Sequence, residues 1–174
     1  NPITITEGTN IWSRSAQMRE RSVLLERDDV LVFETEALEE DLEITGDILL
    51  ELFASSSAID TDFTAAIVDV YPDGYSLLIQ EGILRASHRN KNESPSHINP
   101  DEIYQFNIDL WSTSYVIPAG HQLRLEISSS NFPRFARNLN NGEPFGMSSD
   151  IVIADQKIYF GEKYPSRLLL PVIR

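Results

Sequence analysis

Apolar and polar residues alternate along most of this chain. Tyr104, Phe106, Ile108 and Leu110 alternate with Gln105, Asn107 and Asp109, and Leu123, Leu125 and Ile127 alternate with Arg124, Glu126 and Ser128. Leu42, Ile44, Ile48, Leu50 and Leu52 share one parity around Gly46. A period of two places one face of a strand in a core and the other toward water. Val30–Phe33, Ala65–Val70, Tyr75–Ile79, Ile83–Ala86, Lys157–Phe160 and Leu168–Val172 are rich in β-branched and aromatic residues and predict further strands. Helical periodicity is confined to loosely spaced Met18, Val23, Leu24 and Leu25, which predict at most a short helix within residues 13–27.

Turn residues separate the strands. Pro72-Asp73-Gly74 joins two apolar runs as a tight hairpin turn, and Pro118-Ala119-Gly120 precedes the strand that starts near His121. Glu81-Gly82 predicts a second turn or a bulge. About eight or nine short strands without crossover helices imply antiparallel pairing in two packed sheets. The long polar connections at residues 88–101 and 133–156 suit a Greek-key or jelly-roll course better than a meander. The fold class read from the pattern is therefore all-β, a β-sandwich of two antiparallel sheets with a Greek-key or jelly-roll course. Residues 1–174 form a single domain, with residues 1–26 as a lead-in and 27–174 as the sandwich.

Length supports that reading, because a chain of ~150 residues buries about 70% of its unfolded surface, and this one has 174. There is no cysteine, which removes disulfides, thiolate metal sites and cysteine nucleophiles and favours a reducing, cytoplasmic setting. Neither a membrane span nor a signal peptide is evident, and Asn1-Pro2-Ile3 reads like the middle of a longer protein. The net charge of −13 disfavours nucleic acid and anionic membrane as partners. Residues 19–51 hold twelve acidic side chains against three arginines, a local net of 3 − 12 = −9, which predicts a solvated face or an acidic docking surface.

Candidate chemistry is sparse. No Gly-x-Ser-x-Gly elbow occurs, and Ser55–Ser57 and Ser128–Ser130 fall near strand ends, where serines satisfy loop backbone. A triad drawing on His88, His97 or His121 would have to assemble in space. Asp60 and Asp62 are weak calcium candidates, since oxygen ligands on a loop suit that ion; loop capping and an ion pair are the competing structural roles. No histidine pair has zinc spacing, and no glycine-rich loop cradles phosphate, so no cofactor is expected. Trp12, Trp111, Tyr71, Tyr75 and Tyr115 are available for sugar stacking, with Trp111 better explained as a core or sheet-edge residue. The segment Ser128–Asn138 interleaves aromatics with arginines. Asn131, Phe132, Arg134, Phe135, Arg137 and Asn138 are candidates for an inter-domain contact, or for a loop pinned to its own sandwich.

Three blocks carry a family resemblance. The first runs from Arg27-Asp28-Asp29-Val30 to Asp41-Leu42-Glu43-Ile44-Thr45-Gly46; the second from Ser55-Ser56-Ser57 through Asp60-Thr61-Asp62-Phe63 and Tyr71-Pro72-Asp73-Gly74 to Glu81-Gly82-Ile83-Leu84-Arg85. The third joins Gly120-His121-Gln122-Leu123-Arg124 to Ser130-Asn131-Phe132-Pro133-Arg134 and Arg137-Asn138. With Pro165-Ser166-Arg167 and the closing apolar run, their order and spacing resemble the C-terminal domain of the X-prolyl dipeptidyl-peptidase and cocaine-esterase class of α/β-hydrolases. The resemblance implies a galactose-binding-like jelly roll with no catalytic residue of its own. It implies as partner the α/β-hydrolase domain of the same parent chain, whose cleft this domain would shape, and a role in holding homo-oligomers together. It also places Asp62 near Arg85 or another basic group. A carbohydrate-binding module and an assembly domain are the alternatives. Asn140-Asn141-Gly142 departs from the Asn-Thr-Gly that the family often shows.

Overall fold

A computed structural model describes residues 21–173. The chain is a β-sandwich of two antiparallel sheets, as the alternation requires. Nine strands follow in chain order: β1 (Leu31–Glu34), β2 (Leu42–Ser56), β3 (Asp62–Val70), β4 (Ser76–Arg85), β5 (Tyr104–Ile117), β6 (Gln122–Ser128), β7 (Gln156–Tyr159), β8 (Arg167–Leu169) and β9 (Val172–Ile173). One sheet has the order β1-β6-β3-β4. In the other, β5 lines one side of the long strand β2, and β7, β8 and β9 share its other side.

The strands form where the pattern places them, with three physical corrections. Glu81-Gly82 makes no turn, because β4 runs through it; the register slips instead opposite Ile67 and Val68, where Ile79 is the extra residue. Leu168–Val172 is two strands, since Pro171 lacks an N–H for the ladder. Ser22–Glu26 is one short 3-10 turn, and the rest of the expected helix lies outside the described residues. The Pro72-Asp73-Gly74 hairpin closes as expected, with the Gly74 N–H donating to the Tyr71 carbonyl at 2.9 Å and Gly74 at φ 88°.

One core lies between the sheets. Ile44, Ile48, Leu50 and Leu52 of β2 and Phe106, Ile108 and Leu110 of β5 meet Phe63 and Ile67 of β3 and Leu123 and Ile127 of β6. β3 is buried on both faces, because its run Ala65-Ala66-Ile67-Val68 is continuously apolar and Ala66, Val68 and Val70 cluster with Leu78 on the outer side. Glu36, Glu39, Glu40, Asp41 and Glu43 of the acidic stretch are exposed to water. The long connection from β6 to β7, residues 129–155, crosses from one sheet to the other at one end of the sandwich, and the candidate site is built on it.

Candidate functional site: a braced apolar loop

Polar side chains fasten the 129–155 connection to the sandwich. Asn131 donates to Glu81 Oε2 at 2.6 Å and Arg134 to Glu81 Oε1 at 3.1 Å. The Phe132–Pro133 peptide between them is cis. Asn138 donates from Nδ2 to Asp62 Oδ1 at 2.9 Å and to Asp60 Oδ2 at 3.2 Å. Asp60 also takes the Ser87 N–H at 2.9 Å, and Asp62 takes Arg85 Nε at 2.8 Å and Nη2 at 3.2 Å. The hydrogen bond to Asp62 raises the Arg85 guanidinium above its ordinary pKa. Both carboxylates are buried, and all four oxygens already meet donors. They work as anchors for β3, β4 and this loop, with a guanidinium where a cation would have to sit.

Past Asn138 the loop braces itself. Asn140, in the left-handed region at φ 60°, donates to the Val152 carbonyl at 3.0 Å, and the Val152 N–H donates to the Leu139 carbonyl at 2.9 Å. Asn141 donates to the Asp150 carbonyl at 2.7 Å and to Ser148 Oγ at 3.1 Å, and its own oxygen takes the Glu143 N–H. The departure at Asn141 therefore supplies donors that a threonine hydroxyl lacks. Gly142 takes φ 75° against His97, and an added Cβ would lie 2.8 Å from Ile59 and 2.9 Å from His97.

With its asparagines occupied inward, the loop turns apolar side chains outward. Ile153 is 88% exposed and Phe145 74%, and Met147, Ile151 and Val152 are exposed with them. Scattered exposed apolar residues need no explanation, but five on one braced connection form an exposed apolar face. Beside it lies a cavity of about 680 Å³, walled by Phe63, Ile127, Ser128–Ser130, Arg137–Asn138 and Ile151–Gln156.

The candidates 131–138 thus divide. Asn131, Arg134 and Asn138 turn back to their own sandwich, Phe132 is exposed, Phe135 is half-buried with Arg134 over its ring, and Arg137 lines the cavity. The larger apolar face at 145–153 was missed. Its signal was present as Phe145, Met147 and Ile151-Val152-Ile153 inside a stretch otherwise read as polar.

No triad is found among the described residues. His121 Nδ1 meets Asp69 Oδ1 at 2.8 Å with no serine beside it, His88 meets only the adjacent Ser87 hydroxyl, and His97 meets a backbone carbonyl. Trp111 is on edge strand β5 and not in the core: the residue is 69% exposed and its backbone has φ 66°. Trp12 lies outside the described residues.

Known proteins share this fold. The chain is 42% identical over 151 residues to a cocaine esterase from Rhodococcus sp. (strain MB1 Bresler), a match covering 86% of this chain and 26% of that protein. It superposes on an α-amino acid ester hydrolase with a TM-score of 0.90 at 27% identity, covering 99% of this chain and 31% of that one. An aminopeptidase from a marine sediment archaeon, Thaumarchaeota archaeon, gives a TM-score of 0.90 at 26% identity, covering 100% of this chain and 31% of that one. The chain thus spans about a quarter to a third of the length of these relatives. Residues 9–169 match the X-Pro dipeptidyl-peptidase C-terminal non-catalytic domain, and the chain belongs to that family.

Proposed function

We propose that this chain is the accessory C-terminal domain of a serine hydrolase of the X-Pro dipeptidyl-peptidase or acyl-esterase class. It packs on the α/β-hydrolase domain of the same parent chain and shapes one rim of that domain's cleft. The carrying observation is the 145–153 surface: a loop whose asparagines are all spent inward holds Phe145, Met147, Ile151 and Ile153 out toward water. A fixed apolar surface with a polar rim suits a lasting inter-domain contact. The relatives' names support the hydrolase class, and their greater length leaves room for the catalytic domain.

The 174-residue chain alone is expected to hydrolyse neither p-nitrophenyl esters nor X-Pro anilides, while the parent protein turns over one of them. Serine-dependent turnover by the isolated chain would overturn the reading. Exposed Trp111 is the observation that most favours a carbohydrate-binding module instead. Micromolar glycan binding that Trp111→Ala abolishes would establish that alternative.

A further inference from the structure

Arg137 stands apart among the described arginines. Arg21, Arg27, Arg85, Arg124, Arg134 and Arg167 each donate to a carboxylate, and Arg89 donates to two backbone carbonyls. Arg137 has no hydrogen-bond, ion-pair or ring partner, in a chain of net charge −13 with acidic groups to spare. It lies in the wall of the 680 Å³ cavity. Two further groups of that wall are incomplete: Ser130 Oγ and Gln156 Oε1 are buried without a hydrogen-bond partner. Buried polar atoms are nearly always paired, so these two mark places where a missing group bonds. The lip of the cavity is the exposed run Ile151-Val152-Ile153.

We infer that this cavity is a socket for one apolar segment of the hydrolase domain that carries a carboxylate side chain, which pairs with Arg137. The inference rests on the proposed function and names the contact within it. Volume agrees, since pockets that enclose a drug-sized group span about 300–1,000 Å³. Charge selects the form of the guest. Asp28, Asp29 and Asp155 also border the cavity, and the hydrogen bond from Arg27 holds the Asp29 carboxyl below its usual range and therefore charged. A free small anion gains little there. A carboxylate carried on an apolar segment gains the bidentate guanidinium contact together with burial of Ile151 and Ile153, while backbone amide groups of the segment reach Gln156 Oε1 and Ser130 Oγ.

The test compares melting of this domain alone and within the parent protein, for wild type, Arg137→Gln and Ile153→Ser. Both side chains have little to lose in the isolated chain, so each variant is expected to melt within about 1 °C of wild type there. In the parent each should lower the melting of this domain by about 3 °C or more and open the inter-domain region to limited proteolysis. Wild-type coupling that survives both substitutions overturns the socket and leaves the domain packing intact. A wild-type domain that melts identically alone and in the parent overturns the packing itself. Self-association of the isolated chain that either substitution abolishes, read by sedimentation, assigns the socket to a second copy and overturns the inference.

Discussion

Asp69 is fully buried on β3, and two side chains hold its carboxylate: Tyr115 donates to Oδ2 at 2.7 Å, and His121 Nδ1 lies 2.8 Å from Oδ1 with Tyr71 packed against its ring. Burial first, then the bond to Asp69, raises the Tyr115 hydroxyl above its ordinary value. A raised folded-state pKa means the folded chain keeps a proton that the unfolded chain releases. Its stabilisation is complete below about pH 10, the unfolded value, and is lost as pH climbs toward the folded one. Tyr115→Phe should therefore melt lower at neutral pH, by roughly 1.5 kcal/mol for a bond to a charged group. Its further loss above about pH 10 should be shallower than that of wild type, as a thermal-melt series from pH 7 to 11 would read. At the second buried carboxylate, Asp62→Ala strands Arg85 and Asn138. Because Arg85 is partly solvated, the expected loss is about 2–3 kcal/mol, below that of a fully buried pair. Calcium should leave the melting temperature of wild type and variant unchanged. A strong calcium stabilisation confined to wild type would make Asp62 a ligand after all.

Between elements, the close contact of β4 with β5 depends on one missing side chain. A Cβ on Gly82 would lie 2.2 Å from the Asp109 carbonyl oxygen, so this glycine permits the corner where the two sheets meet. Gln80 ties the same corner by donating to the Ser112 carbonyl at 2.7 Å. Gly82→Ala must push the strands apart and should cost about 3 kcal/mol or more, whereas Gly74→Ala, with open space around it and only φ 88° to accommodate, should cost about 1 kcal/mol. Chemical denaturation of both variants compares them directly. Sequence reasoning placed a break at Gly82 because glycine inside an apolar run signals a turn, a bulge or a close approach, and only the partner strand says which. The run Ile151-Val152-Ile153 shows the converse. It has the composition of a strand, yet bonds to Leu139 and Asn140 draw it into a loop.

For the whole molecule, a main core joins both sheets, and the loop at one end carries the exposed apolar face. The prediction that the isolated chain hydrolyses neither esters nor X-Pro anilides belongs to this scale. Its histidines are dispersed over different parts of the fold, and His121 and Asp69 serve packing at the β5–β6 end. Under the proposed function, activity is expected only with the rest of the parent, to which this chain would contribute a surface. The acidic side chains of stretch 36–43 face solvent.

Local chemistry by itself determined the all-β class, the positions of the strands, the hairpin at Pro72-Asp73-Gly74 and the absence of a nucleophile elbow. Alternation and turn propensity act within a few residues, so they can be read without knowing what packs opposite. The resemblance blocks added the family and placed Asp62 near Arg85 or another basic group, which the structure identifies as Arg85. Tertiary structure decided the rest: that Asn131, Arg134 and Asn138 point inward while Phe145 and Ile153 point out, that Trp111 leaves the core, and that Arg137 has no partner. Each of these depends on groups up to dozens of residues away, such as Glu81 for Asn131 and Asp62 for Asn138. Which way a loop side chain turns is set by the donors and acceptors the fold brings to it, and no local pattern encodes them.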